Sequence, residues 1–162
     1  MPAPKKSLKA FMRESAKNEE IVTAPGPESI IDPETGKPVV LEIKVLSTET
    51  IQKINDRYKR KSVACDKKGQ PYIANGEVAF KVEKDNVKAS QHIIAEALVH
   101  PDLKDPELMA FFECVDIAEM PLKVFPKSDE YTHVSRAVMV ALGIASEPDQ
   151  EEYDAALNEA KN

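Results

Sequence analysis

The segment Val39-Val40-Leu41-Glu42-Ile43-Lys44-Val45-Leu46, running directly into Ser47-Thr48-Glu49, decides the fold class. Val39, Leu41, Ile43 and Val45 alternate with Val40, Glu42, Lys44 and Leu46. A period of two with one apolar and one mixed face predicts a half-buried strand. Ser47 is then a natural N-cap, with Glu49 in the first turn complementing the helix dipole. Ile51, Ile54 and Tyr58 fall on one helical face, and Arg57, Lys59, Arg60 and Lys61 follow as the cations expected near a helix C-terminus.

Upstream, Ile30 and Ile31 precede Asp32-Pro33-Glu34-Thr35-Gly36-Lys37. Proline fixes φ and glycine accepts positive φ, so this stretch predicts a turn that pairs Ile30-Ile31 with the strand in a hairpin. Further upstream, prolines and Gly26 bracket a patch from Ser7 to Lys17 in which Leu8, Phe11 and Met12 lie at helical spacing. Residues 1–27 read as a basic arm. Its first 18 residues hold five Lys and Arg against Glu14.

Downstream, 62–80 predicts short strands or an ordered loop around Asp66-Lys67-Lys68-Gly69 and Asn75-Gly76. Val87, Ile94 and Leu98 place a helix over about 83–99, ended by His100-Pro101 because a residue before proline is pushed out of the α region. Asp105-Pro106-Glu107 opens another helix with a cap, an N1 proline and an acid in the first turn. Pro121 and Pro126 break the next stretch. Ser128 is expected to cap a last helix with an apolar stripe of Tyr131, Val134, Val138, Ala141 and Leu142, closed by Gly143. From residue 145 the chain is acidic, and Tyr153, Ala156, Leu157 and Ala160 fit one amphipathic helix there.

The expected fold is therefore α+β, with a small antiparallel sheet or hairpin near the N-terminus packed on three to four helices. Residues 28–144 form its single domain, between the arm 1–27 and the acidic tail 145–162. The 162-residue length suits one core, and the charged fraction of 31% implies a large solvated surface. No apolar run reaches the length of a membrane span, and the two cysteines, Cys65 and Cys114, are too few for a disulfide scaffold.

No residue set points to chemistry. His92, His100 and His133 show no metal-ligand spacing, and no phosphate-binding glycine loop or nucleophile elbow occurs. No cofactor or metal is expected. Cys114 reads as a buried thiol, whereas Cys65, among Lys59–Lys61 and Lys67–Lys68, is the one candidate for a reactive thiol. Arg57 to Lys61 is the one basic cluster with an aromatic, which sustains an alternative reading as a nucleic-acid-associated accessory or regulator. The net charge of −6 argues against general phosphate binding. What is left is apolar matter in two short, proline-bounded segments. Leu108, Phe111 and Phe112, with Leu122, Val124 and Phe125, are the candidate residues for a surface that binds an apolar partner.

The order of these pieces has a family likeness. A strand enters a helix at Ser47-Thr48-Glu49. An apolar helix ends in Ala97-Leu98-Val99-His100-Pro101-Asp102-Leu103-Lys104-Asp105, and a last helix runs from Ser128-Asp129-Glu130-Tyr131 to Ala141-Leu142-Gly143-Ile144. From about Pro38 to Ile144 this resembles the bacteriophage tail assembly chaperones of the XkdN-like type. Ser128-Asp129, Ile144, Cys114 and Asp116 depart from that pattern, and the first 30 residues and the acidic tail lie outside it. The resemblance implies a non-enzymatic protein of the host cytoplasm, absent from the mature virion. It would bind the apolar, helical tape measure protein during tail morphogenesis, with the tail tube protein and self-association as further partners.

Overall fold

The computed structural model describes residues 3–145, so the helix expected to carry Tyr153, Ala156, Leu157 and Ala160 lies outside the described residues. Two single 3-10 turns, Lys9–Phe11 and Glu14–Ala16, lead into strand β1 (Ile21–Pro25). Then come β2 (Val40–Lys44), α1 (Thr48–Arg57), β3 (Lys59–Val63), β4 (Ile73–Ala74), β5 (Glu77–Val78) and β6 (Phe80–Lys84). The remainder is helical apart from one strand: α2 (Asn86–Ala97), β7 (Leu98–His100), α3 (Pro106–Phe111), a 3-10 turn (Ile117–Glu119), α4 (Met120–Val124) and α5 (Ser128–Ala141). The α+β class follows directly from this order.

The main sheet has the antiparallel order β1-β2-β7. Leu41 and Ile43 of β2 point inward and are fully buried, while Val40 and Glu42 point out. Val22 and Ala24 of β1 stand opposite Ile43 and Leu41, so their side chains share the inward face. Across that face lies α2, whose Ile94 is fully buried along with Leu98, Leu103, Met120, Val134 and Val138. Helix α2 is the hub: α1, the 3-10 turn at Ile117–Glu119, α4, α5 and β7 all pack on it.

Five expectations are corrected. The partner of β2 is residues 21–25, from the stretch read as an arm. Ile31 makes only a single bridge to Pro38 across the Asp32–Lys37 turn. The helical reading also overran at two ends. Helix α1 stops at Arg57, and Lys59–Val63 become β3, because β6 offers them an antiparallel partner that sets Arg60 opposite Glu83. Helix α2 stops at Ala97, because Leu98–His100 fill the free edge of β2. Pro121 sits in the first turn of α4, where its missing N–H costs nothing, rather than breaking the chain. Finally, Ser128 is already inside α5, whose N-cap Lys127 makes no side-chain capping bond.

The caps at Ser47 and Asp105 formed as read: Ser47 Oγ accepts from the Thr50 N–H, and Asp105 Oδ1 accepts from the Glu107 and Leu108 N–H groups. Gly143 takes its positive φ of 75° at the end of α5.

Residues 59–84 do not extend the main sheet. They form a separate β-ribbon, with β3 paired to β6 and β4 to β5 around an Asn75-Gly76 turn. Both turn residues have positive φ, 52° and 79°, as a two-residue hairpin turn of this kind requires. The ribbon leaves the body between α1 and α2 and stays almost wholly exposed.

Candidate partner-binding surface

Helix α3 is short and begins at a strong cap, so its direction is set by Asp105 and Pro106. Leu108, Met109 and Phe112 turn inward and pack half-buried on the core. Phe111 points the other way and is 78% exposed. Its ring meets Phe112 edge-on, centroids 4.9 Å apart at 88°, an arrangement aromatic quadrupoles favour. The chain then reverses at Glu113, where φ is 51°, and the Cys114 N–H returns to the Met109 carbonyl at 3.0 Å. Val115, on the far side of this reversal, is fully exposed. Phe111 and Val115 are thus both exposed, one on each side of an anchored turn.

The second candidate segment divides differently. Leu122 is outward on α4 and lines a groove of about 480 Å³ with Val87, Lys88, Gln91 and Lys123. Val124 is half-buried. Phe125, at the bend that ends α4, is sealed in the core at 2% exposure. Both residues back a groove of about 580 Å³ whose other walls include Ile30, Val39, Pro101 and Glu130. Of the six candidates, Phe111 and Leu122 are freely accessible, Leu108, Phe112 and Val124 partly so, and Phe125 is core.

Sequence reasoning missed an exposed apolar set on the ribbon. Val63 stands opposite Phe80, and Lys61 opposite Val82, so Val63, Phe80 and Val82 share one face. All three are exposed. The signal was present in Val78, Phe80 and Val82, which alternate with no second layer to cover them.

The ionisable groups hold the scaffold together. His92 on α2 is buried, and its Nδ1 lies 2.6 Å from the Tyr58 hydroxyl at the end of α1. Burial, then the nearby Arg57 cation, pushes the imidazole below its usual value, so it is neutral and Nδ1 accepts from the Tyr58 O–H. Burial likewise raises Tyr58. Asp116 accepts from the Ala118 N–H and pairs with Lys88 at 3.1 Å. These two contacts, the backbone bond first, hold its carboxyl below the ordinary range. His133 Nε2 lies 2.8 Å from the Pro25 carbonyl, and buried Glu130 accepts from Ser29 Oγ at 2.7 Å, so α5 ties down the strap after β1. Cys114 is buried and Cys65 exposed. Among the described residues no three His, Cys, Asp or Glu side chains gather as a metal would require, and no helix is long and apolar enough to cross a membrane.

A sequence model of the XkdN-like phage tail assembly chaperone proteins matches residues 8–161. The chain belongs to that family. The match takes in most of the basic arm and the acidic tail, both of which the sequence likeness had left outside. Among solved structures, the crystal structure of the protein yqbn superposes with a TM-score of 0.65 over 88% of this chain and all of that one, at 20% identity. That likeness concerns the fold. No curated protein matches. The partners of such a chaperone are phage tail proteins.

Proposed function

We propose that this tail assembly chaperone binds apolar helical stretches of the tape measure protein and keeps them soluble while the tail is built. It acts in the host cytoplasm, leaves before the virion is complete, and catalyses no reaction. The contact surface is Phe111 with its flanking Leu108 and Phe112, together with Leu122 and Val124. Phe125 supports it from within.

The carrying observation is Phe111. A phenylalanine 78% exposed on a capped, anchored helix is not spare core material, because its neighbours Leu108 and Phe112 already fill the inward face. Large exposed aromatics are the side chains that anchor interfaces. The tail tube protein is the further partner this reading admits.

The test uses the purified chain and an apolar helical fragment of the tape measure protein. The chain should hold the fragment in the supernatant, and Phe111→Asp should weaken binding tenfold or more, about 1.4 kcal/mol. A fragment that sediments equally with and without the chain overturns the reading.

A further inference from the structure

The ribbon carries a feature the proposed client surface does not use. Residues 59–84 hold seven Lys and Arg against three Asp and Glu, in a chain whose net charge is −6. Lys61 and Lys84 share the exposed face of Val63, Phe80 and Val82. Neither lysine forms an ion pair among the described residues. An uncovered face that is both cationic and apolar fits a partner surface that is both acidic and apolar. A nucleic acid would match the charge but not the aliphatic Val63 and Val82.

The body of the same protein presents such a surface. The groove of about 580 Å³ has Ile30, Val39 and Val124 among its apolar walls and Asp32, Glu34 and Glu130 as its acids, and no Lys or Arg lines it. Asp32, Val39 and His100 continue it into an adjoining groove of about 510 Å³, where Glu42 adds an acid and Lys37 is the one lysine. Asp32, Glu34 and Glu42 form no ion pair among the described residues. Ribbon and groove stand at opposite ends of α2. Strand β6 enters that helix through the Asp85 cap, whereas the groove wall at His100-Pro101 follows its C-terminus. Twelve helical residues separate the two ends by about 18 Å. No ribbon residue lines either groove, so within one molecule the two surfaces stay apart.

We propose that the Val63–Phe80–Val82 face of one copy docks in the Ile30–Val39–Val124 groove of a second copy, with Lys61 and Lys84 meeting Glu34 and Glu42. Every copy carries both halves of this contact, so the chain associates with itself through two different surfaces. The contact stands apart from the client reading, because the groove shares with that surface only Val124 and the supporting Phe125.

Sedimentation velocity of the full-length chain over a concentration series tests this by charge exchange. The native chain should gain mass as its concentration rises from micromolar to submillimolar. A ribbon variant, K61E with K84E, and a groove variant, E34K with E42K, should each associate at least about tenfold more weakly. Mixed in equal amounts, the two variants should associate again, because reversed ribbon meets reversed groove and native ribbon meets native groove. A variant that had merely lost its fold could not be rescued in this way. A native chain that stays monomeric throughout overturns the proposal, as does association that either variant leaves intact. A mixture no more associated than the separate variants also overturns it.

Discussion

His92 shows how single residues divide between scaffold and surface. Its imidazole is buried and neutral against the Tyr58 hydroxyl. Its pKa is depressed in the fold, so the unfolded chain binds the proton more readily. Stability is therefore full above the ordinary value of 6.5 and is lost as pH falls toward and through the depressed one. Denaturant unfolding at pH 7.5 and pH 5 should show this loss in the native chain and a flatter response in His92→Gln. The phenylalanines make the complementary pair. Phe125→Ala should cost about 3–5 kcal/mol of stability, because it empties a core site. Phe111→Asp should stay within about 0.5 kcal/mol in the same unfolding assay, because that ring touches little but Phe112. Sequence could not separate these two. Both lie in short apolar runs next to proline, and only the bend after α4 determines which ring turns inward.

At the level of elements, much of the local chemistry was legible, with Ser128 as the exception among the caps. Ser47, Asp105, the Asn75-Gly76 turn and Gly143 all behave as their types dictate. Apart from Pro121 and Ser128, the misreadings concern pairing between distant segments. Residues 21–25 look like linker beside Pro25-Gly26-Pro27, yet β2 needs an edge partner, and Val22 and Ala24 supply its inward side chains. Gly26 is what lets the chain pass: a Cβ there would stand 2.5 Å from the Val39 carbonyl oxygen. Gly26→Ala should accordingly destabilise by about 1–3 kcal/mol, read as a lowered denaturation midpoint with an unchanged slope. The ribbon gives the opposite expectation. Phe80 and Val82 pack against no second layer, so Phe80→Asp should leave the denaturation midpoint almost where it was. A large loss of stability would mean that the ribbon face is covered by the folded body itself.

For the whole molecule, one core explains the architecture. Helix α2 is buried nearly all round because the sheet lies on one side and α1, α4 and α5 on the others. A single strand-to-helix transition at Ser47 was enough to place the chain in the α+β class, and the order of segments pointed to the family. The contact surface was less legible, because a surplus of apolar residues says nothing about which of them the core consumes. Here the core takes Phe125 and leaves Phe111, Leu122 and the ribbon outside. The central claim is that Phe111 and Leu122, with the half-buried side chains beside them, serve an apolar client. Co-expression with the tape measure protein tests it most directly, with the soluble fraction of that protein as the readout. The account predicts that the tape measure protein is largely soluble with the native chain and mostly insoluble with a Phe111→Asp, Leu122→Asp variant that is itself folded. Equal insolubility with the native chain and with no chain at all would contradict it.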